Sequence, residues 1–363
     1  MWRYASLLPV RPDIASTPNL DPGWTRLVRA DQLASILGMR ELWIKDERGN
    51  PTHSFKDRVV GVALAAALEL GFKVLACPST GNLANAVAAA AARAGIRSVV
   101  LVPADLEQQK ILGTAVYGGT LVTVDGTYDD VNRLASELAD FHDDWAFVNV
   151  NVRPYYAEGS KTIGYEIAEQ LGWRLPSQIV VPVASGAQLV KIDKAFRELS
   201  ALGLVEDAEC RVFGAQAAGC APVAAAFLAG HDVVQPVRPA TIAKSLAIGN
   251  PADGPYVLDV VRRTGGAVAD VTDGEIVDAI SLLAKTEGIF GETAAGVTLA
   301  VLRKLLASGQ LDPAAETVII NSGDGLKTLD AVASAVPAVT PIRASLEAFA
   351  ERESLRSRKA DAA

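Results

Sequence analysis

The feature that most constrains this chain is a regular alternation of two textures. Short runs rich in Val and Ile are separated by longer stretches in which Ala and other small residues recur at helical spacing. LWIKDE (42–47), KVLACPS (73–79), SVVLVP (98–103), TLVTVD (120–125), AFVNV (146–150), QIVVPV (178–183), RVFGAQ (211–216) and TVIINSG (317–323) read as strands. Lys56–Leu70, Asn82–Ala94, Gln108–Tyr117, Thr127–Phe141, Gly159–Leu171, Gln188–Leu202 and Asp273–Lys285 read as helices. In the first of these, Val59, Ala63, Ala66, Ala67 and Leu70 share one face. Thr127-x-x-Asp130 and Thr272-x-x-Glu275 fit capping boxes, and Gly71 and Gly95 fit helix stops. Strand, helix, strand with short connections gives βαβ units, so the expected class is α/β with parallel sheets flanked by helices. A length of 363 residues suits about two domains, and the composition breaks near Asn149–Pro154.

The formal charge of −8 argues against nucleic acid or an anionic membrane as partner. An anionic ligand must then be caught by a local device. Cys77, Cys210 and Cys220 are too widely spaced for a metal pattern and form no even-numbered disulfide set. No run approaches the ~18 apolar residues of a membrane span, and the start, MWRYASLLPVRPD, lacks the apolar core of a signal peptide. A cytoplasmic protein without a metal is expected.

Four loops lie at carboxyl ends of predicted strands, where open α/β sheets bind ligands. In Gly49–Lys56 the Gly-Asn-Pro turn brings Ser54 to cap a helix that Lys56 opens. The helix dipole and partial burial beside Phe55 both disfavour the ammonium there and favour a nucleophilic amine. A solvated lysine on a surface helix is the plain alternative. In PSTGNLAN (78–85), Ser79, Thr80, Gly81 and Asn82 gather hydroxyls, N–H groups and an amide at a helix start. That is a seat for a carboxylate or phosphate, unless Ser or Asn merely caps the helix. In PVASGAQL (182–189), Ser185, Gly186, Ala187 and Gln188 let backbone N–H groups converge on an anion. No lysine follows in the Walker position and no GxGxxG occurs, which argues against a nucleotide. In NSGDGLK (321–327), Ser322 points a hydroxyl above the sheet, or simply fills a turn. An amine, an amide, a phosphate cradle and a hydroxyl together match pyridoxal phosphate, with its aldehyde, ring oxygen, phosphate and pyridine nitrogen.

NPTHSFKDR (50–58), STGN (79–82), EGSKT (158–162), PVASGAQ, GAQAAGCAP (214–222), SLAIGNP (245–251), TEGIFGE (286–292) and SGDGLK occur in the order in which the threonine synthase family carries similar segments. From about Trp2 to about residue 335 the chain resembles that family, which belongs to the fold type II (tryptophan synthase beta-like) pyridoxal-phosphate enzymes. The resemblance implies a β,γ-replacement that turns O-phospho-L-homoserine and water into L-threonine and phosphate. It implies that Lys56 bonds the cofactor aldehyde and moves substrate protons. It gives Asn82 the ring oxygen, Ala184, Ser185, Gly186, Ala187 and Gln188 the cofactor phosphate, and Ser322 the pyridine nitrogen. Ser79, Thr80 and Gly81 would seat the substrate carboxylate. The substrate phosphate, in a chain of net charge −8, needs local cations, and the stretch 151–162 offers Arg153 and Lys161, so Arg153, assisted by Lys161 and Ser54, is expected to hold it. The resemblance further implies a homodimer, with a smaller domain over 41–151, a larger one over 1–40 plus 152–340, the cofactor in the cleft between them, and a tail at 341–363.

The chain departs from the family pattern at four places. His53 replaces a usual Gly, Leu83 replaces a frequent Thr, the phosphate loop has a single Gly, and Tyr156 stands where relatives carry Arg. These bear on substrate more than on cofactor. A dehydratase of threonine or serine, or a β-replacement synthase of the same fold, is the alternative.

Overall fold

The computed structural model describes residues 1–11, 18–79, 81–206, 208–337 and 339–360, the side chains of 354–360 excepted. Among these residues ten strands form two sheets: β1 (Arg26–Arg29), β2 (Leu42–Asp46), β3 (Val74–Pro78), β4 (Arg97–Pro103), β5 (Thr120–Val124), β6 (Trp145–Phe147), β7 (Gln178–Pro182), β8 (Arg211–Ala217), β9 (Val268–Val271) and β10 (Thr317–Asn321). The six-stranded sheet has the order β1-β2-β10-β7-β8-β9 and the four-stranded sheet β5-β4-β3-β6. Only β1 runs antiparallel, against β2. The inner strands β3, β7 and β10 are buried along their whole length, as parallel strands covered by helices on both faces must be.

The order β2-β10-β7 matters most for function. Leu42 through Asp46 pair in step with Thr317 through Asn321, and Thr317 pairs with Gln178, so three carboxyl ends open side by side. The loops that follow them carry Lys56, Ser322 and Ala184–Gln188. The Ser79–Asn82 loop comes from β3 of the other sheet.

The domain boundary drawn at residue 41 is corrected by this pairing. It assigns β2 to the smaller domain, whereas β2 is an inner strand of the larger sheet. The following helix, Lys56–Glu69, does join the smaller sheet's core, where Val59, Val60, Ala63 and Leu64 pack with Leu75, Ala84 and Val87. The chain therefore passes from one sheet to the other within the loop that leads into Lys56. Met1–Ala331 form one compact unit, and the C-terminal unit starts at Val332, earlier than the expected 341.

Both capping boxes form, at Thr127/Asp130 and Thr272/Glu275. Two unpredicted helices have plain causes. In Arg153–Gly159 the proline lies in the first turn, where a missing N–H costs nothing. Thr293–Ala307 is buried almost all round and so lacks an amphipathic period.

The start of the Lys56 helix is held from beneath by a buried ionic cluster. Arg58 donates to Glu47 (2.6 Å) and to both oxygens of Glu166 (2.6 and 2.7 Å), and Lys45 donates to Glu166 (2.8 Å). All four side chains are sealed from solvent. Although burial pushes the Glu166 carboxyl up, Arg58 and Lys45 hold it well below the usual range. Glu166→Ala would leave two buried cations short of a partner. We expect a loss of about 3–5 kcal/mol of stability, read from denaturant unfolding.

Candidate active site

One pocket brings together Lys56, Ser79, Asn82, Arg153, Ala184, Ser185, Gly186, Ala187, Gln188 and Ser322. Tyr128, Asn149, Tyr156, Ser160, Ser245 and Glu292 complete its polar lining.

Lys56 opens the Lys56–Glu69 helix and faces the pocket. Its Nζ donates to the Tyr156 hydroxyl at 2.6 Å and lies 4.6 Å from the centroid of Phe55. Burial lowers its pKa from 10.5 to about 8; Glu292 opposes the shift and Arg153 adds to it. Burial likewise raises the pKa of the Tyr156 hydroxyl. The loop is pinned by Phe55 N–H on the Ser322 carbonyl (3.0 Å) and Asp324 N–H on that of His53 (3.1 Å). His53 has φ +61°, the left-handed region that favours glycine.

In the second loop Gly81 has φ +123°, and a Cβ there would lie 2.1 Å from Cδ of Lys110, so only glycine fits. The Ser79 hydroxyl accepts from the N–H groups of Gly81 and Ala84, both at 2.9 Å. It thus shapes the helix start as well as lining the pocket. Asn82 donates to Glu292 at 2.7 Å, and Glu292 also accepts from Ser322 at 2.9 Å. Thr80 lies outside the described residues.

The third loop ends in Gly186 (φ +102°), the cap of the Ala187–Ala201 helix. A Cβ on Gly186 would lie 2.7 Å from Val257. The helix start leaves N–H groups without intrahelical acceptors, and Nε2 of Gln188 has no partner. Oδ1 of Asn149 and Oγ of Ser245 are also buried and unpartnered at the pocket wall. Unsatisfied donors at a glycine-shaped helix start, together with an amine of lowered pKa, fit a phosphorylated aldehyde.

Three substrate assignments need correction. Lys161 does not line the pocket; its ammonium is held by the Leu7 carbonyl (2.7 Å), Glu158 (2.7 Å) and Glu198 (3.0 Å). Ser54 neither lines the pocket nor caps the helix. It pairs with Gly323 in an isolated bridge, and its hydroxyl is buried without a partner. Gly81 is set apart from the pocket wall beside Lys110. Arg153 does reach the pocket, where its guanidinium meets Asp253 at 2.5 Å. Sequence reasoning missed Glu292 altogether. The available signal was a carboxylate placed between a glycine turn and the first turn of a helix.

The family model of pyridoxal-phosphate dependent enzymes matches residues 19–323. A threonine synthase of Methanocaldococcus jannaschii is 38% identical over 333 residues, covering 91% of this chain and 81% of the relative. One of Halalkalibacterium halodurans is 34% identical over 354 residues, covering 94% and 95%. The chain belongs to the threonine synthase family of pyridoxal-phosphate dependent enzymes. Pyridoxal phosphate is therefore its cofactor. Among solved structures it is similar to a fungal L-serine ammonia-lyase from Rhizomucor miehei, with TM-score 0.73, 23% identity and 85% and 96% of the two chains covered. It is also similar to threonine deaminase isoform 2 from Solanum lycopersicum, with TM-score 0.71, 23% identity and 88% and 86% covered. At that identity these two likenesses speak for the fold, that of the fold type II enzymes.

The lowered pKa of Lys56 has a measurable consequence for this member of the family. Its folded value lies below the ordinary one, so the amine is neutral above pH about 8 instead of about 10.5. Capture of pyridoxal phosphate by the cofactor-free protein, followed above 400 nm, should rise roughly tenfold from pH 7 to 9 and then level off. An unperturbed lysine would keep rising about tenfold per pH unit over that range.

Proposed function

We propose that this enzyme converts O-phospho-L-homoserine and water to L-threonine and phosphate. Besides kinship over most of the chain, one observation carries the reading: the pocket wall holds a guanidinium, Arg153, in addition to the backbone N–H groups of the 184–188 loop, and its partner Asp253 donates its N–H to the Ser185 carbonyl of that loop. A substrate that brings its own phosphate needs such a second seat. In a chain of net charge −8 an unpaired dianion would be costly to desolvate.

In this reading Lys56 would bond the cofactor aldehyde, and Ala184–Gln188 would hold its phosphate through backbone N–H groups. Asn82 donates to the ring oxygen and Ser322 faces the pyridine nitrogen. A hydroxyl in that place, unlike a carboxylate, does not force the nitrogen to stay protonated. Pyridoxal phosphate supplies an electron sink for charge that develops on the substrate carbons. Lys56, on the pocket wall, would be the base that takes the Cα proton and then serves Cβ. Tyr156 holds the released amine through their 2.6 Å hydrogen bond. Ser79, on the pocket wall, receives the α-carboxylate, with Thr80 as its proposed companion. Arg153 exchanges Asp253 for the leaving phosphate, which it can grip through two N–H groups. The two sheets with their helices are proposed as the two domains, in a cytoplasmic homodimer without a nucleic-acid partner.

Phosphate release from O-phospho-L-homoserine, measured beside ammonia release from threonine and serine, tests the reaction. Stoichiometric phosphate and threonine are expected; ammonia from threonine or serine as the faster product would instead favour a dehydratase. Arg153→Ala should lower kcat/KM for the phosphorylated substrate by about 2–4 kcal/mol and leave cofactor binding intact. A change below about threefold, under 1 kcal/mol, would remove Arg153 from the phosphate seat.

A further inference from the structure

Lys327 is a half-buried lysine beside the site to which the reaction above gives no task. It ends the short turn Gly325–Lys327 that follows β10 and Ser322. Its ammonium donates to the carbonyl of Thr52, in the loop leading to Lys56, and to Oδ1 of Asn82 at 3.2 Å. Both acceptors are uncharged. Lys327 thereby joins three segments, each from a different strand end, that carry residues of the pocket.

An ammonium offers three donors and no acceptor. A side-chain amide within its reach must turn its oxygen towards it, which sends its NH2 the opposite way. Asn82 is arranged so: Oδ1 meets Lys327, and Nδ2 faces the pocket and Glu292. Without a donor behind it, an asparagine amide can rotate by half a turn with little change of shape, as its N and O ends are nearly isosteric. It would then set a carbonyl against any oxygen in the pocket. Glu292 favours the same orientation from the pocket side. Its hold weakens once a ligand oxygen takes the N–H, whereas Lys327 acts from behind and keeps its grip.

We propose that Lys327 is the positioning residue that fixes the Asn82 amide, so that an N–H and not a carbonyl meets the ring oxygen of pyridoxal phosphate. This rests on the reading that Asn82 faces that oxygen. Lys327 does not line the pocket, and of its two acceptors, Thr52 and Asn82, only Asn82 does, so its effect on the cofactor is assigned to Asn82.

The test is a double-mutant cycle on cofactor affinity in the full chain, with Kd for pyridoxal phosphate measured by titration of the stripped protein. Asn82→Ala should raise Kd by about tenfold or more, the loss of one hydrogen bond to a charged group. Lys327→Met should raise it by about fivefold or more and blue-shift the absorption band, and Lys327→Arg, which keeps the donors, should stay within about threefold. In the Asn82→Ala background, Lys327→Met should add less than about twofold, because residues acting through one contact are not additive. If Lys327→Met does not fold, Lys327→Gln enters the same cycle. Its amide can offer either end to Asn82, so a rise of about threefold is expected that vanishes in Asn82→Ala. A Kd unchanged in Lys327→Met, or in Lys327→Gln where that variant replaces it, or effects that multiply in full with Asn82→Ala, would overturn the proposal. An unchanged Kd in Asn82→Ala alone would instead sink the reading of Asn82, and the proposal with it.

Discussion

Burial of one amine is the constraint on which the rest of the site depends. As the proposed partner of the cofactor aldehyde, Lys56 must be hidden enough for its ammonium to be disfavoured, yet open to the pocket. Desolvation brings its pKa to about 8, and the neighbouring charges tune that value in opposite directions, Glu292 upward and Arg153 downward. The position is held mechanically by the ionic cluster under Arg58, two residues along the same helix turn. Moving that helix start would change the burial of the amine and its distance from Tyr156 together.

Sheet order does the remaining work of assembly. Because β10 lies between β2 and β7, loops distant in sequence open next to one another. The second sheet supplies Asn82 from above, and the Glu292 carboxylate accepts from both Asn82 and Ser322. One buried carboxylate thus links a loop of each sheet and favours the ammonium forms of both Lys56 and Lys327. Local arrangement of this kind lets an acidic protein hold anionic ligands.

Much of this was legible in the sequence because strand-end loops announce themselves locally. Gly81 and Gly186 mark turns that only a left-handed glycine completes, and the apolar runs mark strands buried on both faces. What could not be read was whatever depends on which strands are neighbours. β2 reads as part of the smaller domain until its pairing with β10 is known, some 270 positions away in the chain. Arg153 and Lys161 are close in sequence and both cationic, yet one reaches the pocket and the other turns to Glu158 and Glu198. Direction around a helix pair, not residue type, separates them. Glu292 is a similar case, since its function exists only where the two sheets meet. The helix after it, buried almost all round, lacked the period that would have drawn attention to it.

Two lysines beside the site, Lys56 and Lys327, share a pKa lowered to about 8, so chemistry alone does not say which one takes the aldehyde. The proposed assignment to Lys56 rests on geometry: Lys56 lines the pocket, whereas Lys327 is turned behind Asn82. Borohydride reduction of the cofactor-loaded protein, followed by proteolysis and mass spectrometry, decides between them. A pyridoxyl label on the peptide that contains Lys56, absent from Lys56→Ala, is the expected result. A label on Lys327 or any other lysine would contradict the assignment of the site.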